Sequence, residues 1–428
     1  MLRSIFVGLV LGTVVLALDA PCLAGASTGT MTARGHRAVH ATSITNTVYV
    51  VHYLSAPRGV LSSVAHGINE NGIVVGTSQS SSTTTAELWH VGTAGREIRR
   101  QDLKPPHGYA GAALLAVDDS GVPVGAVFAA SDGSGVSYSS PAYFESGKWN
   151  LLRGSGNTPV LGEAYAIAAN GTIGATLWGS HGQASRAVAF SPLAGSGYSR
   201  SRVLPLSPHA TGSQATSAYS FNGKTVVGGS EVVSSASGSG TKAAIWVNGA
   251  GPFLLGVPTP VETETNPFNS VAGLYRVAPN RLLVVVSSSY LDGGVLGSQS
   301  FVIPVDTSKA RPVVARPSQL SIPAEDAYAL ADAIGGTPSR SANAATIGGD
   351  VADGAALGTG AVWQVALDHG VASVDAPTVV SYQPSQPDQA CPVYQVLAIG
   401  GNGAGAGFAF CGGEAEAATI YPSLEARQ

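Results

Sequence analysis

Charge is scarce in this chain. Asp, Glu, Lys and Arg make up 11% of its 428 residues, against about 25% in an ordinary globular protein, and aromatic residues reach only 7%. The net charge is −4, and the densest basic group is Arg96, Arg99 and Arg100. A nucleic-acid partner would call for a basic patch or stripe, and an anionic membrane surface for the same, so neither is expected. Cysteine is limited to Cys22, Cys391 and Cys411, and no Cys-x-x-Cys occurs, which removes the familiar zinc and redox motifs. Beyond the N-terminus there is no apolar run of the roughly 20 residues a membrane-spanning helix needs. No cofactor fingerprint is present, and no cofactor is expected.

What is present begins with a secretion signal. Arg3 precedes an apolar run over residues 5–18, followed by Ala24-Gly25-Ala26 and Ser27. A run of about 14 residues with a small-residue site after it is the pattern of a cleavable signal peptide. Cleavage is expected after Ala26, with Ala24 as the alternative. A lipoprotein reading through Cys22 fits poorly, because Pro21 and Asp19 stand where small apolar residues are wanted. The expected organisation is a signal peptide over 1–26, a flexible polar segment over 27–45, and one domain over 46–428. Export to the periplasm or the medium follows. There, Cys391 and Cys411 are expected to form a disulfide, worth about 3 kcal/mol for a loop of this length.

Sliding the chain against itself shows why some 400 residues form one domain. Ile68 is followed by Asn69-Glu70-Asn71-Gly72, then Ile73-Val74-Val75-Gly76, and later Ala86-Glu87-Leu88-Trp89. Asn-Gly accepts positive φ cheaply, so the flanking apolar runs can pair as a hairpin, and a third strand ends on a large aromatic. The order recurs around Val117, Ile167, Tyr219, Val277, Leu330 and Ile399, at spacings of 49, 50, 52, 58, 53 and 69 residues. Periods of this size match four-stranded propeller blades with loop insertions. The expected fold is therefore all-β, a propeller of about seven blades. The segment 47–53 is expected to complete the last blade, closing the ring and protecting its edges.

The Asn-x-x-Gly-x-Val-Val-Gly hairpin followed by a small-x-x-aromatic strand resembles the HAF family of extracellular bacterial repeat proteins. The resemblance runs over residues 63–421 and is clearest at Ile68 and Asn222. It implies an extracytoplasmic location and a propeller-like fold. It implies no activity, since a fold does not fix function.

Catalytic motifs are few. His36 and His40 have helical zinc spacing, but Arg37 stands where a catalytic Glu would be. Asp118-Asp119-Ser120-Gly121 is oxygen-rich enough for calcium, yet occupies a turn position where other repeats have Asn-Gly. No metal is expected. The Gly-x-Ser-x-Gly string at residues 25–29 crosses the cleavage site, and Gly133-Ser134-Gly135 and 237–240 read as loops. Asn170-Gly171-Thr172 reads as a hairpin turn before it reads as a glycosylation acceptor.

One position stands out when the repeats are aligned on their apolar anchors. The preceding residue is Gly67, Ala116, Ala166, Ala218, Arg276, Ala329 or Ala398. Small residues suit the crowded inner strands of a ring, so Arg276 reads as a cation near the channel, able to meet a carboxylate. Glu163, Glu325 and Asp326 lie upstream of anchors and are expected near one mouth. A plain salt bridge would also account for them. Tyr165, Tyr275 and Tyr328 recur two before the anchor and read as packing between blades. Two functions follow. The leading one is a monomeric, non-catalytic binding or interaction protein presenting loops from a rigid ring. The alternative is a hydrolase or lyase acting on a polysaccharide or lactone, with Glu163, Glu325 or Asp326 as acid or base. The second requires at least two converging carboxylates.

Overall fold

The structure, a computed structural model, describes residues 48–428 apart from 131–137, 155–157, 180–183, 195–196, 236–237, 259–266, 293–294, 323–327, 339–340, 353–357, 381–391, 412–413 and 424–428. The expected signal peptide, His36, His40, Glu325, Asp326 and Cys391 lie outside the described residues. Every regular element among those described is a β-strand.

The first repeat shows how the sequence makes its unit. Strand Ser62–Ile68 pairs antiparallel with Ile73–Gln79, that strand with Thr84–Val91, and that with Glu97–Leu103. Gly72 takes a φ of 76° in the turn, a conformation glycine adopts at little cost. Asn69 Oδ1 accepts the backbone N–H groups of Asn71 and Ile73 at 3.0 and 2.9 Å, fixing the reversal.

The same meander recurs along the chain. The first strands touch in cyclic order: Ser62–Ile68, Tyr109–Val117, Gly162–Ile167, Ala210–Phe221, Phe268–Ala278, Tyr328–Gly335, Val393–Ile399, and back to Ser62–Ile68. This is a propeller, with these strands around its axis. Hydrogen bonds divide the strands into four sheets of four, one of five and one of nine. The nine-stranded sheet contains two meanders joined through one parallel pairing, Thr241 with Phe268. The ring closes as expected: Val48–Tyr53 pairs antiparallel with Glu414–Ser423, from Val48 opposite Ser423 to Tyr53 opposite Ala418.

Each inner strand also carries a β-bulge the sequence did not announce, at His66, Leu115, Tyr165, Thr216, Ala272, Asp332 and Leu397. The bulges correct the alignment. Two residues after each lie Ile68, Val117, Ile167, Ala218, Leu274, Ile334 and Ile399, so the anchors at Tyr219, Val277 and Leu330 are out of register. The physical reason is hairpin length. Strands Ala210–Phe221 and Phe268–Ala278 run past the usual turn, so distance from the turn is a poor ruler. In the corrected register the residue after each bulge is Gly67, Ala116, Ala166, Ser217, Gly273, Ala333 or Ala398, small in every case. Arg276 is no exception to a pattern; it sits further along, on an extended hairpin. Tyr165, Tyr275 and Tyr328 are not equivalent positions either.

The bulge explains the glycine that follows the paired valines. A Cβ on Gly76 would stand 2.0 Å from Val64 O, and one on Gly125 2.0 Å from Ala113 O, because the bulge pushes an inner-strand carbonyl against the second strand. Gly229, Gly349 and Gly407 meet the same obstruction.

The core is sliced between sheets. One buried cluster joins Val285 and Val302 to Ile347 and Trp363 across adjacent meanders. The aromatic ending the third strand is part of this packing: Trp89, Trp246 and Trp363 are fully buried. Their indole N–H groups donate to the carbonyls of Ser55, Pro205 and Ser321 at 2.8, 2.9 and 3.0 Å. Hydroxyls on two of the second strands clip their sheets to the next. Thr176 Oγ1 donates to Ala215 O and accepts its N–H, and Ser287 Oγ donates to Ala331 O.

Candidate functional site

The structure separates Arg276 from Glu163. Glu163 is the second residue of its inner strand and pairs with Thr176. Arg276 lies past the bulge on the hairpin end of its own, opposite Leu282. Counted from the common register they differ by six residues, about 20 Å along the strand direction.

Glu163 is buried, accepts from Ser139 Oγ at 3.2 Å and is bonded to Tyr165. Burial raises its pKa, so it acts as a hydrogen-bonded tie between neighbouring sheets.

Arg276 is exposed and donates to Asn222 Oδ1 at 3.4 Å. Around it stand Tyr219 and Tyr275, with ring centroids 6.0 Å apart. The Arg276 charge acts on both hydroxyls, which also feel Asp119 and Glu70 respectively. Burial, followed by the charge of Glu70, raises the pKa of Asp119. The hairpin turns here are tied to one another. Asn69 and Asn71 side chains donate to the carbonyls of Asp118 and Asp119 at 2.8 and 2.7 Å, and Asn222 donates to Pro279 O. Asp118 accepts the Val122 N–H at 2.8 Å and the Ser120 hydroxyl, so it caps its turn. Among the described residues no group of three or more His, Cys, Asp or Glu is arranged to hold a metal ion.

The chemically richest place is one the sequence reading passed over. Asp332 is the bulge residue of Tyr328–Gly335, and Asp350 lies on the neighbouring strand Ala344–Ala352, paired with Leu330. Gln395, on the next inner strand, places Nε2 2.7 Å from Asp332 Oδ2 and also bonds Asp350. Tyr328 donates its hydroxyl to Asp350. Asp350 is buried and its Oδ1 has no hydrogen-bond partner among the described residues. Asp332 is partly exposed.

Burial pushes Asp350 up to about 7. Burial, followed by the charge of Asp350, raises Asp332 well above the carboxylate range. Both carboxyls therefore keep their protons to higher pH than a free aspartate does.

In the bulge register Asp350 corresponds to Thr77, Ala126, Thr176, Ser230, Ser287 and Phe408. A hydroxyl is enough to clip neighbouring sheets, as Thr176 and Ser287 do. A carboxyl is chemically surplus to that task. His66 and Thr77 form the nearest parallel, a bulge residue bonded to its second-strand neighbour at 3.1 Å. Burial lowers His66 to about 4, leaving it neutral.

The sequence held a faint signal, an acid inside the apolar run Ala329-Leu330-Ala331-Asp332-Ala333-Ile334. Two other buried acids have partners of their own. Glu87 is pushed up to about 8, chiefly by burial, and bonds Ser78 and Asp102, while its Oε2 has no hydrogen-bond partner among the described residues. Glu231 accepts from the backbone and hydroxyl of Ser207.

No known protein family and no curated protein matches the chain. Among solved structures, the polysaccharide lyase Uly1 aligns over 90% of this chain and 94% of its own, at 10% identity and a TM-score of 0.49. An ulvan lyase of polysaccharide lyase family 25, bound to a GlcA–Rha3S saccharide, aligns over 85% of this chain and 95% of its own, at 13% and 0.39. A protein of unknown function from Dyadobacter fermentans aligns over 88% and 98%, at 10% and 0.41. At such scores the activities and ligands named there remain those of the other proteins.

Proposed function

We propose that this chain is an exported, seven-bladed member of the HAF-type repeat proteins that hydrolyses a saccharide at the Asp332–Asp350 pair. The blade count is supported by the cyclic contacts of the inner strands, with the nine-stranded sheet taken as two blades joined at one pairing. Export is supported by the N-terminal sequence pattern.

The single observation that carries the chemistry is the pair of carboxyls meeting at the Gln395 amide, where a hydroxyl would serve the fold. Glycosidic cleavage needs one carboxylic acid to protonate the leaving oxygen and one carboxylate to act as base or nucleophile. A pair in which one acid keeps its proton while the other has lost it supplies both. Hydrolysis is favoured over β-elimination. A lyase must neutralise a uronate carboxylate before taking its α-proton, and the charges described as reaching the pair and its tyrosines are carboxylates and tyrosines alone.

The test is reducing-end release from xylan, mixed-linkage β-glucan and galactomannan by the wild type and by Asp332→Asn and Asp350→Asn. Loss of about 100-fold or more in each variant supports the reading. Variants as active as the wild type would sink it, and so would a wild type inert on all three polymers.

A second reading, a binding scaffold, is favoured by Arg276, which forms no ion pair among the described residues and stands beside Tyr219 and Tyr275. It would meet an anionic group at the hairpin end of the ring. If Arg276→Ala weakens capture of an anionic polymer such as polygalacturonate while the carboxyl variants do not, this second reading gains.

A further inference from the structure

Beside the carboxyl pair lie three aromatic rings that packing does not explain. Tyr394 contacts Phe408 and Phe410, with centroids 5.2 and 5.8 Å away. All three are only partly buried, and none belongs to a buried core cluster. In a chain with 7% aromatic residues, three grouped outside the core call for a reason.

The backbone arranges the group. Phe408 and Phe410 are two apart on the strand Gly405–Cys411, so they share a face. Tyr394 is the residue displaced by a second bulge in its inner strand, between Val393 and Gln395. Bulges re-aim side chains, and this one adds the Tyr394 ring to the pair on the next strand.

The shelf is connected to the acids. The Gly358 backbone donates to the Tyr394 hydroxyl. A Cβ on Gly358 would stand 2.7 Å from Asp350 Oδ2. Tyr394 also adjoins Gln395 in sequence, and Gln395 holds Asp332. The aromatic group and the carboxyls are thus joined through Gly358 and through Gln395.

We propose that Tyr394, Phe408 and Phe410 form a subsite that stacks one pyranose ring of an uncharged saccharide, delivering its glycosidic bond to Asp332 and Asp350. This rests on the hydrolase reading and narrows its substrate. The apolar C–H face of a pyranose lies well on aromatic rings. Among the described residues no cation faces the shelf to meet a uronate carboxylate, so neutral polymers fit better than anionic ones.

The experiment is affinity electrophoresis of the full chain in gels containing xylan, mixed-linkage β-glucan, galactomannan or polygalacturonate. The variants are Phe408→Ala, Phe410→Ala and Phe408→Leu. Thermal melts confirm folding, and Phe408→Leu, which removes the ring but keeps an apolar side chain, covers the case in which an alanine variant fails to fold.

The expected result is retardation by at least one neutral polymer. It should fall about tenfold or more in Phe408→Ala or Phe410→Ala and likewise in Phe408→Leu, and be absent with polygalacturonate. Retardation unchanged by the Phe variants would overturn the subsite. Retardation by the anionic polymer alone, or by none, would do the same. Shelf-dependent retardation with no reducing-end release by the wild type keeps the subsite and removes the hydrolase reading, so the two failures are distinguishable.

Discussion

Gln395 Nε2 lies 2.7 Å from Asp332 Oδ2, joining the inner strand Val393–Ile399 to the inner strand Tyr328–Gly335. The amide serves two carboxyls at once, and the consequence is measurable as a dependence of stability on pH.

Asp350 titrates at about 7 in the folded protein and near 3.9 when unfolded. Its folded pKa is raised, so the associated stability is complete below about pH 4 and is lost as pH rises through about 7. Asp332 and Glu87 shift in the same direction. The melting temperature should be higher at pH 5 than at pH 8, with about 2 kcal/mol or more between them. Asp350→Asn should shrink that difference. A wild type more stable at pH 8 would contradict the assignment.

Gly125→Ala places a Cβ 2.0 Å from Ala113 O. The obstruction is backbone, so the strands must move apart. A loss of roughly 1–3 kcal/mol is expected, read as a lower denaturation midpoint. The control is Gly108→Ala, at a site with nothing within 4 Å but a φ of 88°. Its cost should come from backbone strain alone and be near 1 kcal/mol.

Deleting residues 48–53 removes the partner of Glu414–Ser423 along with Tyr49 and Val51, both buried. Each buried side chain contributes about 1.5–3 kcal/mol, and the deletion bares a strand edge. Size-exclusion chromatography should show association, and the melting temperature should fall. A monomer melting like the wild type would mean that closure contributes nothing to stability.

The expected Cys391–Cys411 disulfide can be read from mass. Alkylation of the protein without reductant should modify neither Cys391 nor Cys411, and alkylation after reduction should modify both. Removing the bridge should lower stability by about 3 kcal/mol. Alkylation of both thiols before reduction would exclude it.

Much of the fold could be read from the chain alone. The Asn-Gly turns, the paired valines and the aromatic-ended strand mark each meander because they are local demands: positive φ, alternating burial, and an indole reaching a carbonyl. The N-terminal strand could be assigned to the last sheet because a β-branched and aromatic run at 47–53 precedes the first full repeat.

The candidate site could not be read in this way. Arg276 looked exceptional only because hairpin length varies, and anchors counted from the turn drift by up to four residues. Bulges set the true register, and a bulge depends on how strands meet. Asp332, Asp350 and Gln395 lie on three strands, with Asp332 and Gln395 63 residues apart. No local pattern brings them together.

The sequence by itself determined the repeat, the strands and their turns, because each of these is decided by a few neighbouring residues. Only the tertiary structure decided which side chains share the axis. That depends on the cyclic packing of inner strands and on bulges that turn single residues out of the ladder, and both exist only once the sheets have met.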